Sequence, residues 1–238
     1  MASALARGWG EPALVADVAA DKARALAEEL GGEAVDGNAQ LAERADIVLL
    51  CHKPAQLEDV AGEIRGTAKA VVSILGGVPI GDVEAAYPDT PVYRFMPNVA
   101  AEVRRGVFCY VAGSRAADGP EKEVLELFGR LGTVVPVSES QMDGAMAVMS
   151  CAPAWIALVA EALVDAGVKS GLQREQAERL VAETVAGTGA LLAEGTPPQE
   201  VRRRVTSPGG ITARGTAALE AGGLRAAFYA AVDAVVNR

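Results

Sequence analysis

The stretch Val205-Thr206-Ser207-Pro208-Gly209-Gly210-Ile211-Thr212 holds the densest set of groups able to do chemistry. Pro-Gly-Gly permits a turn in which successive N–H groups converge on one point, a nest for an anion. A helix beginning near Thr212 would add the positive end of its dipole, and Thr206, Ser207 and Thr212 add hydroxyl donors. A carboxylate suits such a site. On these residues alone the other reading is a glycine-rich loop whose Ser and Thr side chains cap the next helix.

Other reactive residues are sparse. His52 is the single histidine, so a metal held by two imidazoles is excluded, and a Ser-His-Asp mechanism would have to run through it. Taken alone it reads as a strand-end residue, and no metal site is expected. Cys51, Cys109 and Cys151 are odd in number and widely spaced, which fits reduced thiols rather than a disulfide framework. Asp17 closes a short apolar run. If a family resemblance places this run as the second strand of a dinucleotide-binding fold, an acid there is implied to accept bonds from the adenine-ribose hydroxyls and to repel a 2′-phosphate, a lean toward NADH over NADPH. Its other reading is a solvated acid at a turn. Lys53 follows a second apolar run and by itself reads as an exposed loop cation.

Composition narrows the partners. The 238 residues carry a net charge of −9, which argues against a general nucleic-acid surface. No apolar run is expected to reach the roughly 18–20 residues that span a bilayer, and the first seven residues lack the basic-then-apolar order of a signal peptide. A soluble, cytoplasmic protein with a small-molecule substrate is expected, with neither nucleic acid nor membrane as partner.

The elements that must position these groups fall into two kinds. Residues 13–16, 45–51, 70–75, 92–96 and 107–111 read as short strands, and 21–30 as a helix stopped by Gly31-Gly32. Their alternation predicts βαβ units and a parallel sheet covered on both faces. From about residue 140 helices take over: 142–166, with Pro153 kinking or opening it, then 173–192, a short one opened by Pro197-Pro198 with Thr196 as N-cap, 213–220 and 224–236. The division is placed at residue 137. The helical half is rich in Ala and Val, and Gly187-Thr188-Gly189-Ala190 would let two helices approach closely. That surface is either a subunit interface or an ordinary helical core.

These segments, in this order and spacing, resemble the pyrroline-5-carboxylate reductases. The loop matches that family's V-T-S-P-G-G-x-T signature, flanked by Gly171-Leu172-Gln173-Arg174 and Leu219-Glu220-Ala221-Gly222-Gly223-Leu224-Arg225. Cys51-His52-Lys53-Pro54 matches its V-K-P turn, Phe95-Met96-Pro97-Asn98 its M-P-N segment, and residues 73–77 its small-residue turn. The resemblance implies a Rossmann-like α/β domain over 1–137 and an all-α dimerisation and substrate domain over 138–238. It also implies NAD(P)H-dependent reduction of 1-pyrroline-5-carboxylate to L-proline, the last step of proline biosynthesis. Thr206, Ser207, Pro208, Gly209, Gly210 and Thr212 would hold the substrate carboxylate, and the Thr212 hydroxyl, near the ring nitrogen, would help deliver the proton that accompanies hydride. Asn38, Cys51, Lys53, Pro54, Gly76 and Asn98, together with Asp17, would contact NADH or NADPH. The helical domain would form a homodimer or a higher homo-oligomer.

The chain departs from the family pattern in several places. Met1 aligns with the methionine of G-x-G-N-M-[AG], so the first strand and the glycine turn are not written in these residues, and the Rossmann-like domain is expected to be incomplete at its N-terminus. A start assigned to an internal methionine is the expectation. The absence of that central strand would leave its two neighbours with unpaired edges. Cys151 and Ala152 stand where small glycine and serine residues are usual, Val99 where a threonine is common, and Arg105 where an acid is common. These changes leave open a reductase of a related cyclic imine acid, or an impaired or non-catalytic homologue serving dimerisation or regulation.

Overall fold

The computed structural model describes residues 1–237. It divides into two compact units, Met1–Cys151 and the residues from Ala152 onward. The first contains helix α1 (Ala2–Trp9), strand β1 (Leu14–Val15), α2 (Ala20–Leu30), β2 (Glu33–Ala34), α3 (Asn38–Arg44), β3 (Val48–Leu50), α4 (Leu57–Ile64), β4 (Val71–Ser73), α5 (Ile80–Ala86), β5 (Val92–Pro97), β6 (Gly106–Ala112), α6 (Glu121–Gly129), β7 (Gly132–Pro136) and α7 (Met142–Met146). The second contains α8 (Ala152–Lys169), α9 (Arg174–Ala193), α10 (Pro198–Arg204), α11 (Ile211–Ala221) and α12 (Leu224–Val236). This is an α/β Rossmann-like unit followed by an all-helical one.

The strands form two sheets: β1-β2, and β3-β4-β5-β6-β7. β3, β4 and β5 run parallel, with Leu50 opposite Ser73 and Ser73 opposite Arg94. Side chains alternate across this sheet. Val71 and Val92 pack on one face with Ala61 and Ile64 of α4 and Val83 of α5. Val72, Tyr93 and Phe95 pack on the other with Leu5 of α1 and Val124 and Phe128 of α6. The rings of Phe95 and Phe128 stack with centroids 3.9 Å apart. Both faces are covered, as a parallel sheet requires.

The structure corrects several expectations. β6 runs antiparallel to β5, Phe95 facing Tyr110, because the connection over 98–105 is shorter than the dozen or so residues a parallel crossover needs. That connection is a 3-10 turn ended by Arg104, whose left-handed φ of 55° points its guanidinium back to α1, where Nε donates to Gly8 O at 2.7 Å. β2 and β7 have no counterpart in the sequence reading. The helix expected over 142–166 is interrupted by a π-helical turn, Ala147–Cys151. Pro153 lacks the N–H that Met149 O would receive in a regular helix, and the Asn98 amide donates to Met149 O instead, at 3.0 Å. Pro197, not Thr196, is the N-cap of α10. One helical run, Glu139–Lys169, is long and apolar enough by length and composition to cross a membrane, contrary to the expectation that no segment reaches that length.

Residues 138–151, placed with the helical half from sequence, pack with the sheet. Met142 and Met149 cluster with Met96 and Cys109. Arg94, 3% exposed, pairs with Glu139, whose second oxygen accepts the Ile80 N–H.

Gly132 shows what the tight start of β7 requires. Its φ is +151°, and a Cβ there would lie 1.9 Å from Gly106 O on the neighbouring strand. Gly132→Ala should therefore lower unfolding stability by about 3 kcal/mol, read as a lower denaturant midpoint with unchanged slope.

Candidate active site

The parallel strands of the first unit end in a row of turns, and a parallel sheet binds ligands beyond these carboxyl ends. After β1, the Asp17 carboxylate accepts the Ala19 N–H at 2.8 Å and caps the approach to α2. It is exposed. After β2, Asn38 opens α3, and its side-chain amide donates to Glu63 of α4 at 2.9 Å. After β3 comes Cys51-His52-Lys53-Pro54. The Lys53 N–H donates to Gln56 Oε1 at 3.2 Å and the Gln56 N–H returns to Lys53 O at 2.9 Å, which fixes the turn while the lysine side chain stays exposed.

Cys51 is exposed to solvent at its surface, yet the apolar groups around its thiol desolvate it and push it up to about 12, so it stays protonated at neutral pH.

After β4, the hydroxyl of Ser73 accepts the Leu75 N–H at 3.3 Å and starts the turn that carries Gly76 and Gly77. An added Cβ at either glycine meets nothing within 4 Å, so open space lies above this turn. β3 and β4 are neighbours, so Lys53, Pro54 and Gly76 are brought to one edge.

Sequence reasoning read His52 as a strand-end residue rather than a site residue. Its Nδ1 lies 2.9 Å from Lys53 O, which marks Nδ1 as the protonated nitrogen. Nε2 is buried and without a partner among the described residues. A lone histidine beside a Lys-Pro turn was the available signal.

Asn98 sits differently from the other residues expected to contact the cofactor. It is 7% exposed, its Oδ1 accepts the Val107 N–H at 3.1 Å, and its Nδ2 is held by Met149 O. Both ends of the amide are committed inside the protein, joining the end of β5 to β6 and to the π-helical turn. The exposed Val99 beside it costs the interior no hydrogen bond.

In the second unit the expected carboxylate loop lies between α10 and α11. Gly209 has φ +67°, and the Gly210 N–H donates to Ser207 O at 3.0 Å, closing a tight turn over Ser207-Pro208-Gly209. A Cβ on Gly210 would meet Ser207 Oγ at 2.3 Å. α11 begins at Ile211 with Gly210 as N-cap and no side-chain cap, so the first N–H groups of that helix stay open toward the loop. Thr212 is exposed on that first turn. Thr206 is half-buried, with its hydroxyl donating to Arg202 O at 2.6 Å. Beside the loop lies a groove of about 660 Å³ lined by Arg202, Arg203, Thr206 and Glu220. Thr206, Ser207, Pro208, Gly209, Gly210 and Thr212 are thus brought together in one turn at the start of α11.

The helical unit leaves much apolar surface open. Among its described residues only Val164 and Ala177 are buried hydrophobics, while Leu158, Leu180, Leu219 and Tyr229 are all more than half exposed. Gly187 and Gly189 face open space, with nothing within 4 Å of an added Cβ.

Residues 139–238 match the family model described as pyrroline-5-carboxylate reductase dimerisation, and residues 1–77 match the one described as NADP oxidoreductase coenzyme F420-dependent. The pyrroline-5-carboxylate reductase of Thermus thermophilus is 36% identical, the match covering 99% of this chain and 90% of that protein. The Synechocystis enzyme of the same name is 37% identical over 84% of this chain and 76% of its own length. Among solved structures, the Coxiella burnetii pyrroline-5-carboxylate reductase superposes with a TM-score of 0.89 at 32% identity, covering 100% of this chain and 93% of that one. The Plasmodium falciparum pyrroline carboxylate reductase with NADP bound gives 0.86 at 30% identity, covering 99% and 91%.

Proposed function

The chain belongs to the pyrroline-5-carboxylate reductase family, and on that premise we propose that it reduces 1-pyrroline-5-carboxylate to L-proline with a nicotinamide cofactor. The observation that carries the reading is the turn Ser207-Pro208-Gly209-Gly210 feeding the uncapped start of α11, which presents backbone donors and the Thr212 hydroxyl on one anion-sized site. The carboxylate is held by those amides, where the helix dipole favours negative charge. Thr212 reaches the ring nitrogen and passes its hydroxyl proton there, to be replaced from solvent. The nicotinamide, when bound, supplies hydride to the imine carbon.

The carboxyl edge of the first unit fits such a cofactor. It offers open space above Gly76 and Gly77, the exposed Lys53 cation for a phosphate, and the unpartnered His52 Nε2 as an acceptor for a ribose hydroxyl. Asn38, Cys51 and Pro54 shape that edge, and Asn98 acts from behind it as a positioning residue. Asp17 sets the choice between cofactors, because its charge opposes a 2′-phosphate and favours ribose hydroxyls. Asp17→Ser should raise the ratio of kcat/KM for NADPH to that for NADH by about tenfold, a differential of about 1.4 kcal/mol, with the kcat for either changing little. An unchanged ratio would remove Asp17 from cofactor selection.

The open apolar helices of the second unit act as the subunit interface of a homodimer, or of a higher homo-oligomer built on it. A cytoplasmic location accords with this role. The test of the proposal is a steady-state assay with 1-pyrroline-5-carboxylate and NADPH or NADH. Saturable cofactor oxidation that depends on the imine acid is expected; none at high enzyme concentration overturns it.

A further inference from the structure

Arg94 is the only charged residue buried among the described ones, 3% exposed in the middle of β5. Val92 and Met96 precede and follow it on the same face, and Ser73 of β4 and Val111 of β6 stand opposite it in register. An apolar side chain would stabilise this place at least as well, because a buried ion pair recovers only part of the hydration its two charges lose. The guanidinium even leaves a donor unused: Nε is buried without an acceptor among the described residues. Stability does not account for this arginine, so its contacts must.

Those contacts lead to one turn. Arg94 Nη1 donates to Glu139 Oε1, and Glu139 Oε2 accepts the N–H of Ile80, the first residue of α5, at 3.4 Å. Glu139 is fixed in turn by its neighbours, where the Ser138 N–H donates to Gln141 Oε1 at 2.9 Å. Between Ser73 and Ile80 runs the turn that carries Gly76 and Gly77. Its internal bonds are long, Leu75 N–H to Ser73 Oγ at 3.3 Å and Val78 N–H to Leu75 O at 3.5 Å. Little within the turn therefore sets its height over the sheet. Its first end is Ser73, opposite Arg94, and its last is Ile80, tied to Arg94 through Glu139. We propose that Arg94 and Glu139 are positioning residues for the dinucleotide, a role that rests on the cofactor reading of this edge. They hold the Gly76-Gly77 turn at one height, so that its backbone meets the cofactor without first rearranging. They act through the turn rather than by contact.

Ile80→Pro removes the N–H that Glu139 accepts, at a first-turn position that tolerates proline and after Pro79, whose ψ of 155° suits a following proline. Ile80→Ala loses the side-chain packing but keeps that N–H, and is the reference. Titration of NADPH and NADH fluorescence should give a Kd about tenfold higher in Ile80→Pro than in Ile80→Ala. In the free protein the Leu75 and Val78 amides should exchange faster in the proline variant. At saturating cofactor, kcat should differ by less than about twofold. The double variant Arg94→Met with Glu139→Met should unfold no more easily than the parent, yet bind the cofactor about tenfold more weakly. Weaker binding in Ile80→Pro and in the double variant, with the double variant's stability kept, supports the assignment. An equal Kd in the two Ile80 variants, a parental Kd in the double variant, or a double variant that unfolds more easily than the parent overturns it. A parent that binds neither cofactor removes the reading of this edge and this role with it, an outcome the parent alone shows.

Discussion

Thr212→Val should lower kcat about 100-fold on 1-pyrroline-5-carboxylate, while Thr212→Ser keeps most of the activity. Valine matches threonine in shape and removes the hydroxyl alone, so the loss reads the proton that Thr212 places on the ring nitrogen, a contribution of the size general acids make. Because Thr212 is exposed on the first turn of α11 and caps nothing, both variants should unfold within about 0.5 kcal/mol of the parent. A uniform interaction, present equally in the bound ground state, would raise KM and leave kcat alone. A fall confined to KM would move Thr212 from proton delivery to simple binding, and unchanged kinetics would remove it from the site.

Asn98→Leu should have the largest effect on the protein itself. The leucine keeps the same branched skeleton, though bulkier, and leaves the Val107 N–H and Met149 O, two groups satisfied by one buried amide, without partners. Each orphaned group costs about 1–3 kcal/mol, so the sum approaches the whole margin of a domain of ordinary stability. The loss should appear as a lower denaturant midpoint. Adding Pro153→Ala, which restores a backbone N–H four residues after Met149, should return about 1 kcal/mol of it. Full stability in Asn98→Leu would show that Asn98 is not the brace between β5, β6 and the π-helical turn.

That brace also shows where the sequence was legible and where it was not. The runs over 48–50, 71–73 and 92–97 announce themselves as buried strands because both faces are covered, which forces consecutive apolar residues. The helix Leu224–Val236 was legible to the residue, since a glycine pair precedes it and nothing interrupts it. The direction of β6 was written in the short connection over 98–105, too short for a parallel crossover, but the alternation of strands and helices before it drew the reading toward an all-parallel sheet. β7 escaped because Thr133-Val134-Val135 is short and lies between a helix end and a loop. Residues 138–151 carry helical composition, and only their contacts with Met96, Cys109 and Arg94 attach them to the sheet.

Within the candidate site, local chemistry was readable and long-range chemistry was not. Pro208-Gly209-Gly210 before a helix declares its turn from composition, and Gly209 adopts the left-handed φ that a side chain would resist. Asn98 was found as part of a motif, yet its two partners lie 9 and 51 residues away, a separation no local pattern encodes. The unpartnered His52 Nε2 is likewise visible only in three dimensions.

In the proposed reaction hydride and proton are delivered across the C=N bond of a cyclic imine acid. Supplying NADPH deuterated on the transferable face of C4 tests it most directly. L-proline carrying one deuterium at the ring carbon next to nitrogen, on the side away from the carboxylate, is expected in a one-to-one ratio with oxidised cofactor. Cofactor oxidation without labelled proline, or no oxidation in the presence of the imine acid, would contradict it.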